Sequence, residues 1–171
     1  MKFLEKMEGG DLTVGVIGLG YVGLPTAIGF HDAGFAIWGV DISERTVEMI
    51  KQGLNPTGDP DLDEIIPKSG LERWQITTNP AEAVPLCDIV IVTVPTPITD
   101  DLKPDLSFVK MAGQSIFESV LRNRNTIVVL ESTVYPGVTK NIWYPIIKEL
   151  GLELGIDVSI AYCPERFNPG D

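Results

Sequence analysis

Leu12-Thr13-Val14-Gly15-Val16-Ile17-Gly18-Leu19-Gly20-Tyr21-Val22-Gly23-Leu24-Pro25 decides how this chain folds. An apolar run ends in G-x-G-x-x-G and passes straight into a segment of helical character, and only that context separates the pattern from an ordinary glycine-rich turn. Each glycine has its own task in such a turn. Gly18 permits the tight exit from the strand, and Gly20 puts no Cβ between the backbone and a pyrophosphate. Gly23 lets the following helix pack close to the sheet. The amides of Gly20, Tyr21 and Val22 then face the phosphates from a helix N-terminus, where the backbone dipole favours negative charge.

The rest of a dinucleotide-binding βαβ unit follows. Phe35-Ala36-Ile37-Trp38-Gly39-Val40 reads as a second apolar strand with Asp41 at its carboxyl end, 23 residues after Gly18. That is close to the roughly 20 residues expected before the acid that holds an adenosine ribose. A carboxylate there accepts from the ribose hydroxyls and repels a 2′-phosphate, so it selects NAD over NADP. Arg45 lies near enough to neutralise such a phosphate; its alternative role is a solvated residue in the first turn of the next helix. The expected cofactor is NAD.

Composition narrows the setting. The chain has 171 residues, with 13 Lys plus Arg against 24 Asp plus Glu and a net charge of −11. Such a length suits one domain with a proper core, and the acidity argues against nucleic acid or an anionic membrane as a partner. No apolar run approaches the ~20 residues of a membrane span. The N-terminus lacks the apolar core of a signal peptide. Cys87 and Cys163 make no disulfide framework, so a cytoplasmic location is expected. No metal site is assigned.

In order along the chain, residues 1–11 read as a polar leader and 12–171 as one Rossmann-type α/β domain with a doubly wound parallel sheet. Strands are expected at 13–17, 35–40, 75–78, 88–94, 126–130 and 158–162. Helices are expected at 22–33, 44–52 capped by Ser43, 62–69, 81–84, 106–121 capped by Asp105, and 138–150. His31, the only histidine, reads as a surface or capping residue late in its helix. Asp88–Val94 is rich in β-branched residues throughout, as a strand buried on both faces should be. In such a sheet ligands bind outside the carboxyl ends of the strands. That rule selects Gly18–Gly23, Asp41, Pro95–Pro97, Glu131–Gly137 and the segment after Tyr162.

Four of these stretches together resemble the UDP-glucose/GDP-mannose dehydrogenase family: Gly18-Leu19-Gly20-Tyr21-Val22-Gly23-Leu24-Pro25, Val94-Pro95-Thr96-Pro97, Glu131-Ser132-Thr133-Val134-Tyr135-Pro136-Gly137 and Pro164-Glu165-Arg166. Asp105-Leu106-Ser107 and Glu165-Arg166-Phe167-Asn168-Pro169-Gly170-Asp171 resemble in particular the members that oxidise N-acetylated UDP-hexosamines. The resemblance implies oxidation of the C6 alcohol of a UDP-sugar to a carboxylate with two NAD⁺ in succession, through a thiohemiacetal and a thioester on a catalytic cysteine. It assigns Glu165 as base or water activator in thioester hydrolysis and Thr133 as a residue that positions the water beside the cofactor. Pro95, Thr96 and Pro97 would line the nicotinamide end, and Glu165, Arg166, Phe167 and Asn168 the substrate. Arg166 contacts the sugar or pairs with Glu165.

The family also carries a long central helix and a second α/β domain, which supply the nucleophilic cysteine and are expected to be absent here; a full-length protein is expected to be a homodimer. Cys87 reads as a small core residue, and Cys163 lacks a histidine to generate a thiolate. The expectation is therefore a chain that binds NAD without turnover. Two alternatives stand beside it, a β-hydroxyacid-type dehydrogenase domain and a non-catalytic module that senses NAD or a sugar nucleotide.

Overall fold

The computed structural model describes residues 3–67 and 73–164. Six strands form one parallel sheet: β1 (Thr13–Ile17), β2 (Ala36–Val40), β3 (Trp74–Thr77), β4 (Ile89–Val92), β5 (Thr126–Leu130) and β6 (Val158–Tyr162). Their order across the sheet is β3-β2-β1-β4-β5-β6, so the chain winds outward first to one side of β1 and then, from β4, to the other. The crevice where that direction reverses lies between β1 and β4. All pairings are parallel, as expected of strands that read as near-continuous apolar runs.

Alternation along the strands divides the core into two layers. Val14, Val16, Ile37, Ile76 and Ile91 face helices α2 (Gly23–Asp32) and α3 (Glu44–Lys51) around the buried Trp74. Ile17, Val40, Val90, Val92, Val128 and Leu130 face α4 (Pro80–Ala83), α5 (Ser107–Ser119) and α6 (Tyr144–Glu149) around Phe117 and Trp143. Burying each large apolar side chain contributes on the order of 1.5–3 kcal/mol. Cys87 belongs to this second layer. It is fully buried, its Sγ donates to the Ala83 carbonyl at 3.2 Å, and burial pushes the thiol up to about 12, with Arg124 opposing and Asp88 adding to the rise.

Several boundaries differ from the sequence reading. The leader contains a helix, α1 (Phe3–Glu8), held to the amino ends of the strands because Lys6 Nζ donates to Asp88 Oδ1 at 2.7 Å. Of the helix expected at 62–69 only Leu62 is helical, as the last residue of a tight turn at Pro60–Leu62; residues 63–67 form no helix, and 68 and 69 lie outside the described residues. Ser43 caps α3 as expected, its hydroxyl accepting from the Thr46 amide. Leu106, not Asp105, occupies the cap of α5; the Asp105 carboxylate accepts from the Ser107 amide one residue further in, at 2.9 Å. The helix expected at 138–150 splits into a widened π turn, Thr139–Trp143, followed by α6. Pro145 is the reason, since it removes an amide donor and its ring crowds the carbonyl four residues earlier.

Asp88 also accepts from the Thr13 amide at 3.1 Å and pairs with Arg124 at 3.5 Å. Burial raises its pKa, but Lys6, the Thr13 amide and Arg124 together outweigh that and hold it below the usual carboxylate value. Asp157 is held low as well, by the amides of Asn123 and Glu153 against a smaller effect of burial, with help from Arg122. Carboxyls depressed in the folded state stabilise it above their unfolded pKa of about 3.9, and that stability is lost as pH falls through the folded values. Asp88→Ala leaves Lys6 and the Thr13 amide without their acceptor and takes the carboxylate from Arg124, which keeps the Pro85 and Leu86 carbonyls; it is expected to cost about 2 kcal/mol. Thermal melts at neutral pH should then show a midpoint about 4–8 °C lower. The difference between variant and wild type should shrink below about pH 4; a constant difference down to pH 2 would falsify the assignment.

Candidate functional site

Strand register brings the site residues together. Ile17 pairs with Val40 and Val92, Val40 with Thr77, Val92 with Leu130, and Leu130 with Tyr162, so the carboxyl ends of all six strands form one row. The next residue of every strand but β3 adds a last rung. The Gly18 amide donates to Val40 O, Asp41 to Thr77 O, Thr93 to Ile17 O, Glu131 to Val92 O and Cys163 to Leu130 O, at 2.8–3.2 Å. The residues selected from sequence therefore start from a common rigid edge.

At the centre of that edge is the glycine turn. Gly18 has φ +93°, and a Cβ there would lie 2.9 Å from the Thr93 carbonyl oxygen. A Cβ on Gly23 would fall 1.8 Å from the Gly18 oxygen and 2.4 Å from Thr93 Oγ1, so the start of α2 closes directly onto the turn. Around Gly20 there is open space. The amides of Gly20, Tyr21 and Val22 precede α2 and donate to no acceptor among the described residues. These are the donors an anionic group would need.

Asp41 braces the turn. Its Oδ2 accepts from the Leu19 amide at 2.8 Å and its Oδ1 from the Ser43 amide at 2.9 Å. A carboxylate has about four acceptor sites, so two remain for a diol. Asp41 stands on the wall of a cleft of about 200 Å³ whose other walls are mostly apolar: Ile17, Val40, Ile42, Pro80, Val94, Pro95 and one face of α5. Ile42 is 78% exposed beside it, an unusual position for a large aliphatic residue unless something flat packs on it. Apolar walls, a carboxylate at the rim and free amides at the adjoining turn fit the base, ribose and pyrophosphate of a dinucleotide.

Arg45 is exposed on the first turn of α3 and is not among the cleft's lining residues. Pro95 lines the cleft, and Thr96 and Pro97 continue beyond it. Thr133 is exposed on the loop after β5, where its carbonyl accepts from Thr96 Oγ1 at 2.9 Å. Cys163 is exposed at the end of β6. Glu165, Arg166, Phe167 and Asn168 lie outside the described residues. His31 stacks edge-on against Trp74, with ring centroids 5.3 Å apart, and lines no part of the cleft. Among the described residues, no His, Cys, Asp or Glu cluster could hold a metal ion, and no helix is long and apolar enough to cross a membrane.

Sequence reasoning missed the α5 wall and Thr93. Phe108, Met111, Ala112 and Ser115 line the cleft at i, i+3, i+4, i+7 spacing, a periodicity visible in the sequence but equally consistent with an ordinary core face. Thr93 Oγ1 donates to the Gly18 carbonyl at 2.7 Å, sewing β4 to the glycine turn. Nothing in the local sequence marks that contact.

Comparison with known proteins gives a consistent result. The family described as "UDP-glucose/GDP-mannose dehydrogenase family, NAD binding domain" matches residues 12–171. The chain is 40% identical over 162 residues to a UDP-N-acetyl-D-glucosamine 6-dehydrogenase of Pseudomonas aeruginosa, covering 94% of this chain and 37% of that protein. It is 37% identical over 170 residues to a UDP-N-acetyl-D-mannosamine dehydrogenase of Yersinia pestis, covering 92% and 38%. Among solved structures, the UDP-D-ManNAc dehydrogenase of Pyrococcus horikoshii superposes with a TM-score of 0.83 at 32% identity, over 93% of this chain and 37% of that one. The chain thus spans a little over a third of the length of these relatives.

Proposed function

Because the chain belongs to the UDP-glucose/GDP-mannose dehydrogenase family, whose NAD-binding domain it forms, we propose that it is the cofactor half of a UDP-N-acetylhexosamine 6-dehydrogenase. The observation that carries this reading is the single row of strand ends that sets Gly18, Asp41, Val94 and Pro95 around one apolar cleft. In this reading the adenine packs between Ile42 and α5. Asp41 accepts from the ribose hydroxyls, and the amides of Gly20, Tyr21 and Val22 hold the pyrophosphate. The nicotinamide end reaches Pro95–Pro97 and Thr133. Bound NAD⁺ supplies a hydride acceptor, and oxidising a C6 alcohol to a carboxylate takes two of them and one water.

On the substrate side we assign Glu165 as the base that activates water, with Thr133 positioning it and Arg166, Phe167 and Asn168 contacting the sugar nucleotide. Neither cysteine of this chain suits the covalent step. Cys87 is buried with its thiol pushed up to about 12. Cys163 has no histidine beside it, the only one being packed on Trp74. These 171 residues alone are therefore expected to bind NAD without turnover. Two free cysteines suit a reducing cytoplasm, and the homodimer implied by the family resemblance concerns the complete polypeptide.

Calorimetric titration of this chain with NAD⁺ and then NADP⁺ tests the reading. Saturable NAD⁺ binding is expected, with NADP⁺ at least about tenfold weaker because its 2′-phosphate meets the Asp41 carboxylate. Absence of any NAD⁺ binding overturns it.

A further inference from the structure

Beyond Val92 the sheet ladder between β4 and β5 ends, yet the loops that follow stay joined. The Val92 carbonyl takes both the Glu131 amide at 2.9 Å and the Ser132 amide at 3.2 Å, which exhausts the backbone pairing. Thr93 turns its amide to Ile17, and the residues after it are Val94-Pro95-Thr96-Pro97, two of which have no amide hydrogen. Hydroxyls take over. Ser132 Oγ donates to the Val94 carbonyl at 2.7 Å, and Thr96 Oγ1 donates to the Thr133 carbonyl at 2.9 Å. Each loop thus contributes one hydroxyl and one carbonyl to a reciprocal pair.

We infer that this hydroxyl pair is a positioning device for the nicotinamide end of the cleft, with Ser132 its buried anchor. The inference rests on the reading of the cleft as an NAD site. Ser132 is only 7% exposed and is not among the cleft's lining residues, so it acts through Val94 and Pro95, which do line it. On the opposite flank Thr93 ties the same segment to the glycine turn. With both flanks tied, the wall formed by residues 93–97 moves only with the sheet. Releasing the Ser132 side frees that wall and the Thr133 loop from each other, and leaves Asp41, Ile42 and α5 in place. The device therefore bears on the nicotinamide and spares the adenosine.

The test compares NADH, followed by its nicotinamide fluorescence, with ADP-ribose, which lacks that ring, on this chain and on S132A, T96V and T96S. S132A and T96V are each expected to weaken NADH about tenfold and to lose the emission change on binding, with ADP-ribose altered less than about threefold. T96S keeps its hydroxyl and should recover most of what T96V loses. If S132A does not fold, S132C, close in size but a poor donor, takes its place. Equal losses of NADH and ADP-ribose, or no change in either for both S132A and T96V, overturn the inference alone. Wild-type protein that binds neither ligand overturns the NAD reading beneath it, and the inference with it.

Discussion

Gly23→Ala is expected to reduce NAD⁺ affinity by at least about a hundredfold and to destabilise the fold by about 2–3 kcal/mol. The new methyl would sit 1.8 Å from the Gly18 carbonyl oxygen and 2.4 Å from Thr93 Oγ1. The first of these neighbours is backbone and cannot rotate away. Either α2 lifts from the sheet or the glycine turn opens, and both displace the free amides of Gly20, Tyr21 and Val22. Gly20→Ala provides the contrast. Its Cβ would enter open space, so the melting temperature should stay near wild type while affinity falls, because the methyl occupies room assigned to the pyrophosphate. Thermal melts and calorimetry on both variants check this. A Gly23→Ala protein that binds NAD⁺ within about threefold of wild type would show that the turn tolerates the clash and that its geometry does not govern binding.

The second large effect belongs to Asp41. Asp41→Ala removes the acceptor for the Leu19 and Ser43 amides as well as the group assigned to the ribose. Hydrogen bonds to a charged group contribute about 1.5–3 kcal/mol, so NAD⁺ affinity should fall about 10- to 100-fold. NADP⁺ should lose less, because the negative charge that opposes a 2′-phosphate goes too, and the preference for NAD⁺ should narrow by at least about tenfold. Asp41→Asn separates the two roles. It keeps the size but not the charge, and its NH₂ group faces one of the two braced amides, so discrimination should narrow with a stability loss of about 1–2 kcal/mol. Unchanged affinity of Asp41→Ala for both cofactors would remove Asp41 from the site.

The pattern of these effects reflects how the site is written into the chain. Glycine spacing and the acid 23 residues beyond Gly18 are local and legible, because each answers a local steric or electrostatic need. The strands were legible for a similar reason: an element buried on both faces must be apolar throughout, and Ile89–Val92 is. Helix ends were less so. Pro145 widens a turn that periodicity alone reads as continuous helix, and α1 forms from a polar stretch because Lys6 finds Asp88, 82 residues away.

By itself the sequence determined the fold class, the succession of its six strands, the glycine turn and the family, all of which rest on patterns within a few residues or on motifs in a given order. Only the tertiary structure decided that Ile17, Val40, Val92 and Leu130 end in one row, that one face of α5 closes the cleft, and that Ser132 and Thr96 join two loops. Those facts depend on strand register and on hydroxyls meeting carbonyls 37 or 38 residues away. Serine and threonine look the same in sequence whether they meet water or a distant backbone. The partner is chosen by packing, once the sheet has brought the loops together.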